Sequence, residues 1–391
     1  MKRFRLFALA VSAPLVLIVV LGGFFSPASA RQGAFPHLRV FEDVISLILN
    51  AYVEDVQVDE VMEGALRGLA DGLDGDSAYL TPAEASRIEA NAPEPAGGVG
   101  VALSRQYYLR VVAARDHSPA FKAGIRSGDY VRAIDDQPTR EMSVVEGARR
   151  LRGEPGTSVK VTVIRGNTAD PREFTLVRER APAATVTARV LPQGPGYIRV
   201  SSFAGSGPAD LKAAAERLQS GGAVSIIIDL RNTADGGPGA GVEAARAFVR
   251  SGVLATRAAR GDTRETIEAS AGDGVITMPI VLLVSNGTAR AAEVFTAALA
   301  GNKRADVVGE QTQGSAGEQK LVKLPEGRGL WLTWARYLTT DGKPIHGEGL
   351  TPDVIVEEPN VAFDEIPPTG DAMLDTAIER ALAKKQPAGV L

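Results

Sequence analysis

Apolar positions follow three kinds of spacing along this chain of 391 residues. The first is continuous. Leu6 to Phe25 is apolar for 20 residues with few interruptions, behind a basic start at Met1 to Arg5 and ahead of Ala28-Ser29-Ala30. That order matches the n-region, h-region and small-residue cleavage site of an export signal. A stretch of this length also suffices to span a bilayer as an uncleaved anchor. The second spacing is helical. Phe35 to Ile88 reads as helical, with Val40, Val44, Ile45, Ile48 and Leu49 on one face, Val61 to Leu73 as a second helix and a short third begun by Thr81-Pro82. The same period returns at Met142 to Leu151, Ala209 to Leu218, Gly241 to Val249, Ala289 to Leu299 and Asp371 to Lys384. The third spacing is that of strands. Val99, Val101 and Leu103 alternate, as does Leu330 to Tyr337. Val186 to Val200 gives two strands around Gly194-Pro195-Gly196. Val224 to Asn232 predicts a buried strand that ends in polar residues, and the apolar runs Pro279 to Val284 and Val307-Val308 predict two more buried strands. Strands alternating with helices predict an α/β core. Asn91 to Gly97 reads as a Pro/Ala/Gly linker, and Gln386 onward as a frayed tail.

Composition narrows the chemistry. The chain is 45% hydrophobic and 23% charged, as ordinary globular proteins are. Losing Lys2, Arg3 and Arg5 with a leader takes the net charge from -4 to -7, which argues against nucleic acid or an anionic surface as partner. The absence of cysteine excludes disulfides, thiol catalysis and Cys-metal sites. His37, His117 and His346 are the only histidines, and none stands in a ligand-like cluster. Neither a metal, a cofactor nor a His-based triad is expected.

The stretch Pro279 to Gln319 carries the chemistry. A buried strand is followed by an Asn286-Gly287 turn, a helix that Thr288 can cap, a second strand and the Gly-containing loop Gln311 to Glu318. Many enzymes hold a nucleophile at a helix N-terminus in this way. The stretch resembles the core of the carboxy-terminal processing (tail-specific) proteases, the S41-type PDZ serine peptidases. Their pattern is roughly LVNxxSASASE, a helix, then RAxxVGxxTFGKGxVQ. Thr288-Ala289-Arg290-Ala291-Ala292-Glu293 falls on SASASE, and Thr312-Gln313-Gly314-Ser315-Ala316 on TFGKG, with no gap between the blocks. By this resemblance the nucleophilic Ser position is Arg290 and the general-base Lys position is Ser315, while the following Gln is kept as Gln319. A lysine can activate a serine only if its amine is neutral. A guanidinium has no hydroxyl to attack with and no lone pair to accept a proton. A cation in a helix's first turn also opposes the dipole. Arg290 is therefore either a solvated surface arginine or the partner of a carboxylate, Glu293 or a bound peptide.

The resemblance runs from about Phe35 to Lys384. Leu73 to Pro82 resembles LDPHSxYLxP, with Asp76 where His is usual. Gly98 to about Arg180 resembles a PDZ domain. Gly98-Val99-Gly100-Val101 falls on its carboxylate-binding loop, and Ser118 to Asp129 follows SPAxxAGIxxGD. The strand through Leu103 would pair with a peptide, and Leu151 on the flanking helix would help line the pocket. Tyr197 to Phe203 resembles GYIRIxSF, and Val224 to Asn232 resembles LILDLRxN. In the oxyanion loop, NPGG is replaced by Thr233-Ala234-Asp235-Gly236-Gly237. Either Asp235 replaces the first Gly or the loop is one residue longer. A carboxylate there would oppose a developing oxyanion, unless Asp235 points into solvent or pairs with Arg290. Thr340 to Val354 resembles TPxGxxIxxxGIxPDV and is read as structural.

The fold expected is an α+β multidomain chain. Residues 1–30 are a signal peptide or anchor, 31–97 a helical N-terminal region, 98–180 the PDZ domain, 181–360 the S41 protease-like core, and 361–391 a C-terminal helix and tail. Two main function classes remain open. One is an exported, periplasmic pseudoprotease that binds polypeptide C-termini or tethers an active relative, self-associating through its N-terminal helices or acting without a partner there. The other is a working serine endopeptidase with Ser285 or Ser315 as shifted nucleophile and Lys303, Lys320 or Lys323 as base. A purely structural role is the third reading, and for the PDZ domain itself the alternative to peptide capture is a lid or interdomain prop. Membrane contact follows only if the N-terminal segment is uncleaved.

Overall fold

The computed structural model describes residues 35–383, apart from 167–169, 183–184, 262, 360, 364 and 366–368. The apolar leader with Ala28-Ser29-Ala30 and the tail from Gln386 lie outside the described residues. No helix among the described residues is long and apolar enough to cross a membrane.

The chain divides into residues 1–66 and 67–391. In the first unit, α1 spans Phe35–Ala51. Its Val40, Val44 and Leu49 are exposed, as are Leu38 and Leu47. Helix α2, Val58–Asp71, begins in this unit and carries Asp59 and Glu60 in its first turn, where the helix dipole favours them.

In the second unit the helical run expected to reach Ile88 is interrupted by a short strand, β1, Ala78–Leu80, whose three residues are all buried. Helix α3, Pro82–Glu89, starts as expected at Thr81-Pro82. Thr81 Oγ1 accepts from Glu84 N while Glu84 reaches back to the Thr81 N–H, a complete capping box.

Five strands then form the main path of an antiparallel sheet, β2 Val101–Gln106, β3 Tyr108–Ala114, β4 Tyr130–Ile134, β5 Ser158–Ile164 and β6 Arg172–Val177, in the order β2-β3-β4-β5-β6, and the two-residue strand Gln137–Pro138 pairs β4 off that path. Helix α4, Val144–Leu151, lies between β4 and β5 in sequence and is capped by Ser143. Leu103, Leu109, Val111, Ile134, Leu151, Val159 and Val163 are buried at its centre. Gly147 on α4 is required because a Cβ there would lie 2.1 Å from Leu109 Cδ1.

The core sheet has the order β7 (Val186–Val190), β8 (Gly196–Val200), β9 (Ile226–Asp229), β12 (Ile280–Val284), β13 (Ala305–Gly309) and β16 (Val354–Ile355). Only the β7–β8 pair is antiparallel. Its two faces explain the uninterrupted apolar runs. Ile226, Ile228, Ile280, Leu282 and Val284 face one core. Ile227, Val281 and Leu283 face another, which α8 (Ala372–Ala383) covers with Met373, Ala377 and Ala381. A strand buried on both sides has no polar alternation to show. On the first face pack α5 (Gly207–Ser220), α6 (Pro238–Ala245) and α7 (Ala291–Gly301). A second sheet joins β1, β10 (Val253–Ala259), β11 (Arg264–Glu268), β14 (Gly317–Lys323) and β15 (Gly329–Leu338), with β15 pairing β1, β10 and β14.

Candidate functional site

Strand β12 delivers the chain to a tight turn, and α7 begins at once behind it. Thr288 does not cap this helix as expected. Its Oγ1 donates to Leu230 O (2.8 Å) and accepts from Ser285 N (2.9 Å), tying the turn to the end of β9. The residue at the N-cap is Arg290, with φ 56° and ψ -116°. That is a strained conformation for a side chain with a Cβ, and such strain gathers at functional positions. Two local features hold it. Gly241 on α6 lets the helices meet, because a Cβ there would stand 2.1 Å from Ala291 O. Arg290 N donates to Glu293 Oε2 (3.1 Å).

Glu293 was expected as a possible partner for the Arg290 guanidinium. Instead it is fully buried and gathers backbone. Beyond Arg290 N, it accepts from Thr312 Oγ1 (2.5 Å), Gly314 N (2.6 Å) and Ser315 N (2.8 Å). Burial pushes its pKa up, against the pull of these donors. One carboxylate thus locks loop 312–315 to the start of α7, and brings residues 290 and 315 side by side.

The partner of the Arg290 guanidinium is Asp76. Arg290 Nη2 lies 3.6 Å from Asp76 Oδ1, an ion pair too long for a hydrogen bond. Ser315 Oγ donates to Asp76 Oδ2 at 2.6 Å. Asp76 and Ser315 are both buried, whereas the Arg290 side chain is 38% exposed. Asp76 is presented by its own turn, in which Asp74 Oδ1 accepts from Asp76 N (2.9 Å) and Ser77 N (2.7 Å). Behind the turn, His346 Nε2 is 3.7 Å from Asp74 Oδ2. The Asp74 carboxylate beside it, against burial, raises His346 above its ordinary 6.5. Burial alone would raise Asp74, but His346 and the two backbone donors hold it well below the usual carboxylate range. Thus three of the positions where the sequence departs from the motif blocks, 76, 290 and 315, form one cluster, while a fourth, 235, stands outside it.

Asp235 neither pairs with Arg290 nor points free into solvent. Its Oδ2 lies 3.2 Å from Arg115 Nη2 and accepts from Ser202 Oγ (2.9 Å), while Oδ1 accepts from Gly236 N (3.0 Å). The Gly236 amide, the expected oxyanion donor, is therefore occupied by the preceding side chain. Gln319 Nε2 donates to Thr333 Oγ1 (3.1 Å). The alternative nucleophiles fare no better. Ser285 is buried and its Oγ accepts from Asn232 N (3.1 Å) and Gly287 N (3.2 Å). Lys320 Nζ sits over the Trp334 ring at 4.6 Å, and Lys323 pairs with Glu89. Lys303, with φ 56°, follows α7 at the opposite end from Arg290.

A cleft of about 330 Å³ opens in front of the cluster. Gly98, Val99, Gly100, Val101, Leu103 and Leu151 line it, and so do Asp76, Arg290, Gln319 and Asp235. The peptide-binding candidates and the Arg290 cluster therefore share one cavity. Gly100 has φ 77°, and a Cβ there would meet Ser118 Cβ at 2.3 Å. The N–H groups of Val99 and Gly100 donate to no acceptor among the described residues.

Sequence reasoning missed the roles of Asp76, Asp74, His346 and Arg115. The signal for Asp76 was present, because it too departs from its block. What the sequence could not give was the fold that brings it to Ser315 across 239 residues.

A five-stranded antiparallel sheet with a flanking helix, set before a mostly parallel α/β core, is the architecture of a PDZ-bearing peptidase. The profile of the PDZ domain matches residues 110–165, and that of Peptidase family S41 matches residues 194–356. A carboxyl-terminal-processing protease of Synechocystis sp. is 33% identical over 77% of this chain and 72% of its own length. A carboxy-terminal-processing protease of Bartonella bacilliformis is 30% identical over 84% of this chain and 77% of its own. The solved photosystem II D1 C-terminal processing protease superposes with a TM-score of 0.68 at 25% identity, covering 89% of this chain and 97% of that one. The chain belongs to the carboxyl-terminal-processing protease family.

Proposed function

We propose that this protein holds polypeptide C-termini in its PDZ groove and does not cut them. The observation that carries this reading is the Arg290–Asp76–Ser315 cluster. By the motif alignment, it stands where the family keeps a hydroxyl and a neutral amine. Arg290 supplies neither, and the Ser315 hydroxyl is hydrogen-bonded to a carboxylate and not to a lysine amine. The occupied Gly236 amide removes a donor from a developing oxyanion. The unpaired amides of Val99 and Gly100 suit a terminal carboxylate, and the adjoining strand suits backbone pairing with a peptide. The export-signal pattern of Met1 to Ala30 supports a periplasmic location, free or anchored to the inner membrane. The exposed apolar side chains of α1 are suited to self-association or to an active relative.

Family membership favours a second reading, an active serine endopeptidase with a shifted dyad. It would require Ser285 or Ser315 to meet a lysine, and the placements of Lys303, Lys320 and Lys323 weigh against that. The two readings separate on an unfolded substrate with a hydrophobic C-terminus. We expect binding without turnover, and weaker binding of C-terminally amidated peptides. Cleavage that survives Arg290→Ala but is lost with one Ser→Ala change would establish the second reading. Equal binding of acid and amide forms would remove C-terminal capture.

A further inference from the structure

The peptide-binding edge of the PDZ domain is closed at one end by the chain itself. Strand β2 is an edge strand, paired to β3 on one side and to no other strand among the described residues. Its open side begins beside the Val99 and Gly100 amides. It does not stay open to Gln106, because Arg105 N donates to Gly75 O at 2.9 Å. With the period of a strand, Leu103, two residues back, presents its polar backbone on that same open edge. Gly75 has taken the next place in the ladder.

This cap is held from both sides. The Arg105 guanidinium pairs with Asp71 (2.7 Å) and donates to Arg140 O (2.7 Å) and Met142 O. The Gly75 segment is fixed by the Asp74 turn and by the contact of Asp76 with Ser315. The fit is close as well, since a Cβ on Gly75 would lie 2.9 Å from Arg105 O.

We infer that the groove reads a short C-terminal tail and no more, with Gly75 as the stop. The inference rests on the reading above that the groove takes polypeptide C-termini. From the carboxylate amides to the stop there is room for about four residues of extended peptide at the rise of a β-strand. Further residues must leave the edge beside Asp76 and Arg290, which line the same cleft. Length specificity is thus set by a segment outside the PDZ fold, and the same segment anchors the substituted cluster.

The test is a binding titration with N-acetylated alanine peptides of three to eight residues that end in leucine, in free-acid and amidated forms. Affinity should rise to about four residues and then stay within about twofold to eight. In Gly75→Val, whose Cβ would push the segment off Arg105, the fifth and sixth residues should add at least about threefold. A wild-type affinity that climbs tenfold or more between four and eight residues would overturn the stop. The wild-type series decides this even if Gly75→Val does not fold. If no free-acid peptide of any length binds, or amides bind equally, C-terminal capture itself fails and the stop falls with it.

Discussion

The Asp76 carboxylate serves Arg290 and Ser315 at once: Oδ1 lies 3.6 Å from Arg290 Nη2, and Oδ2 accepts from Ser315 Oγ at 2.6 Å. Because of this shared partner, reverting two residues will not rebuild a serine–lysine pair. In Arg290→Ser with Ser315→Lys, the new lysine would sit beside Asp76 and remain an ammonium. An opposite charge at that range depletes the neutral amine about tenfold or more. We expect this double variant to leave an unfolded protein substrate intact on gels over a time course. Detectable cleavage should require Asp76→Asn and Asp235→Gly in addition, the latter to release the Gly236 amide. Cleavage by the double variant alone would show that Asp76 is not the obstacle.

Removing the shared acceptor should be felt in stability. Asp76→Ala leaves the buried Ser315 Oγ without its partner, at a cost of about 1–3 kcal/mol, read by urea denaturation. The partly exposed Arg290 should add little, because solvent screens its side of the pair. Ser315→Ala should cost less than Asp76→Ala.

Glu293 should be the more sensitive position. Truncation to Ala strips one hydroxyl and three backbone N–H groups of their acceptor inside the protein. With each orphaned donor costing about 1–3 kcal/mol, a loss of at least about 3 kcal/mol is expected. Hydrogen exchange at Gly314 and Ser315 should quicken more than at strand β9. Uniform quickening across the core would point to general unfolding instead.

The Asp74–His346 pair predicts a pH window. His346 has a raised folded pKa, so its contribution to stability is complete below about 6.5 and is lost as pH rises through the folded value. Asp74 has a depressed one, so its contribution is present above about 4 and is lost as pH falls. Between these limits the pair supports the turn that carries Asp76. The melting temperature of the wild type should therefore drop from neutral into mildly alkaline pH by more than that of His346→Gln. Proton NMR should place the His346 midpoint above 6.5, and Asp74→Asn should lower it.

Gly241 should tolerate no side chain. Gly241→Ala would force α6 away from Ala291 O and cost about 1–3 kcal/mol by overpacking. The same displacement reaches the N-cap of α7, so the Arg290–Asp76 contact should loosen in a crystal structure of the variant. An unchanged α6–α7 spacing would contradict this account.

Much of this architecture could be read without coordinates. The runs at Ile226 to Ile228 and Ile280 to Val284 are apolar throughout because both faces of the sheet are covered, and that pattern is written locally. The start of α3 was equally legible, because Thr81, Pro82 and Glu84 make their capping contacts within one turn. β1 was not, because three residues carry no period and gain strand form only by pairing with Gly329 to Trp331. The sequence also marked residues 76, 235, 290 and 315 as departures from their blocks. It did not say which charges would meet. Glu293 is three residues from Arg290 and takes its backbone N–H, while the guanidinium turns to Asp76, and Asp235 turns to Arg115. Local spacing decides helices and strands because their hydrogen bonds close over a few residues. The partner of a buried charge is decided by which distant loops the fold brings within ångströms, and only the tertiary structure contains that.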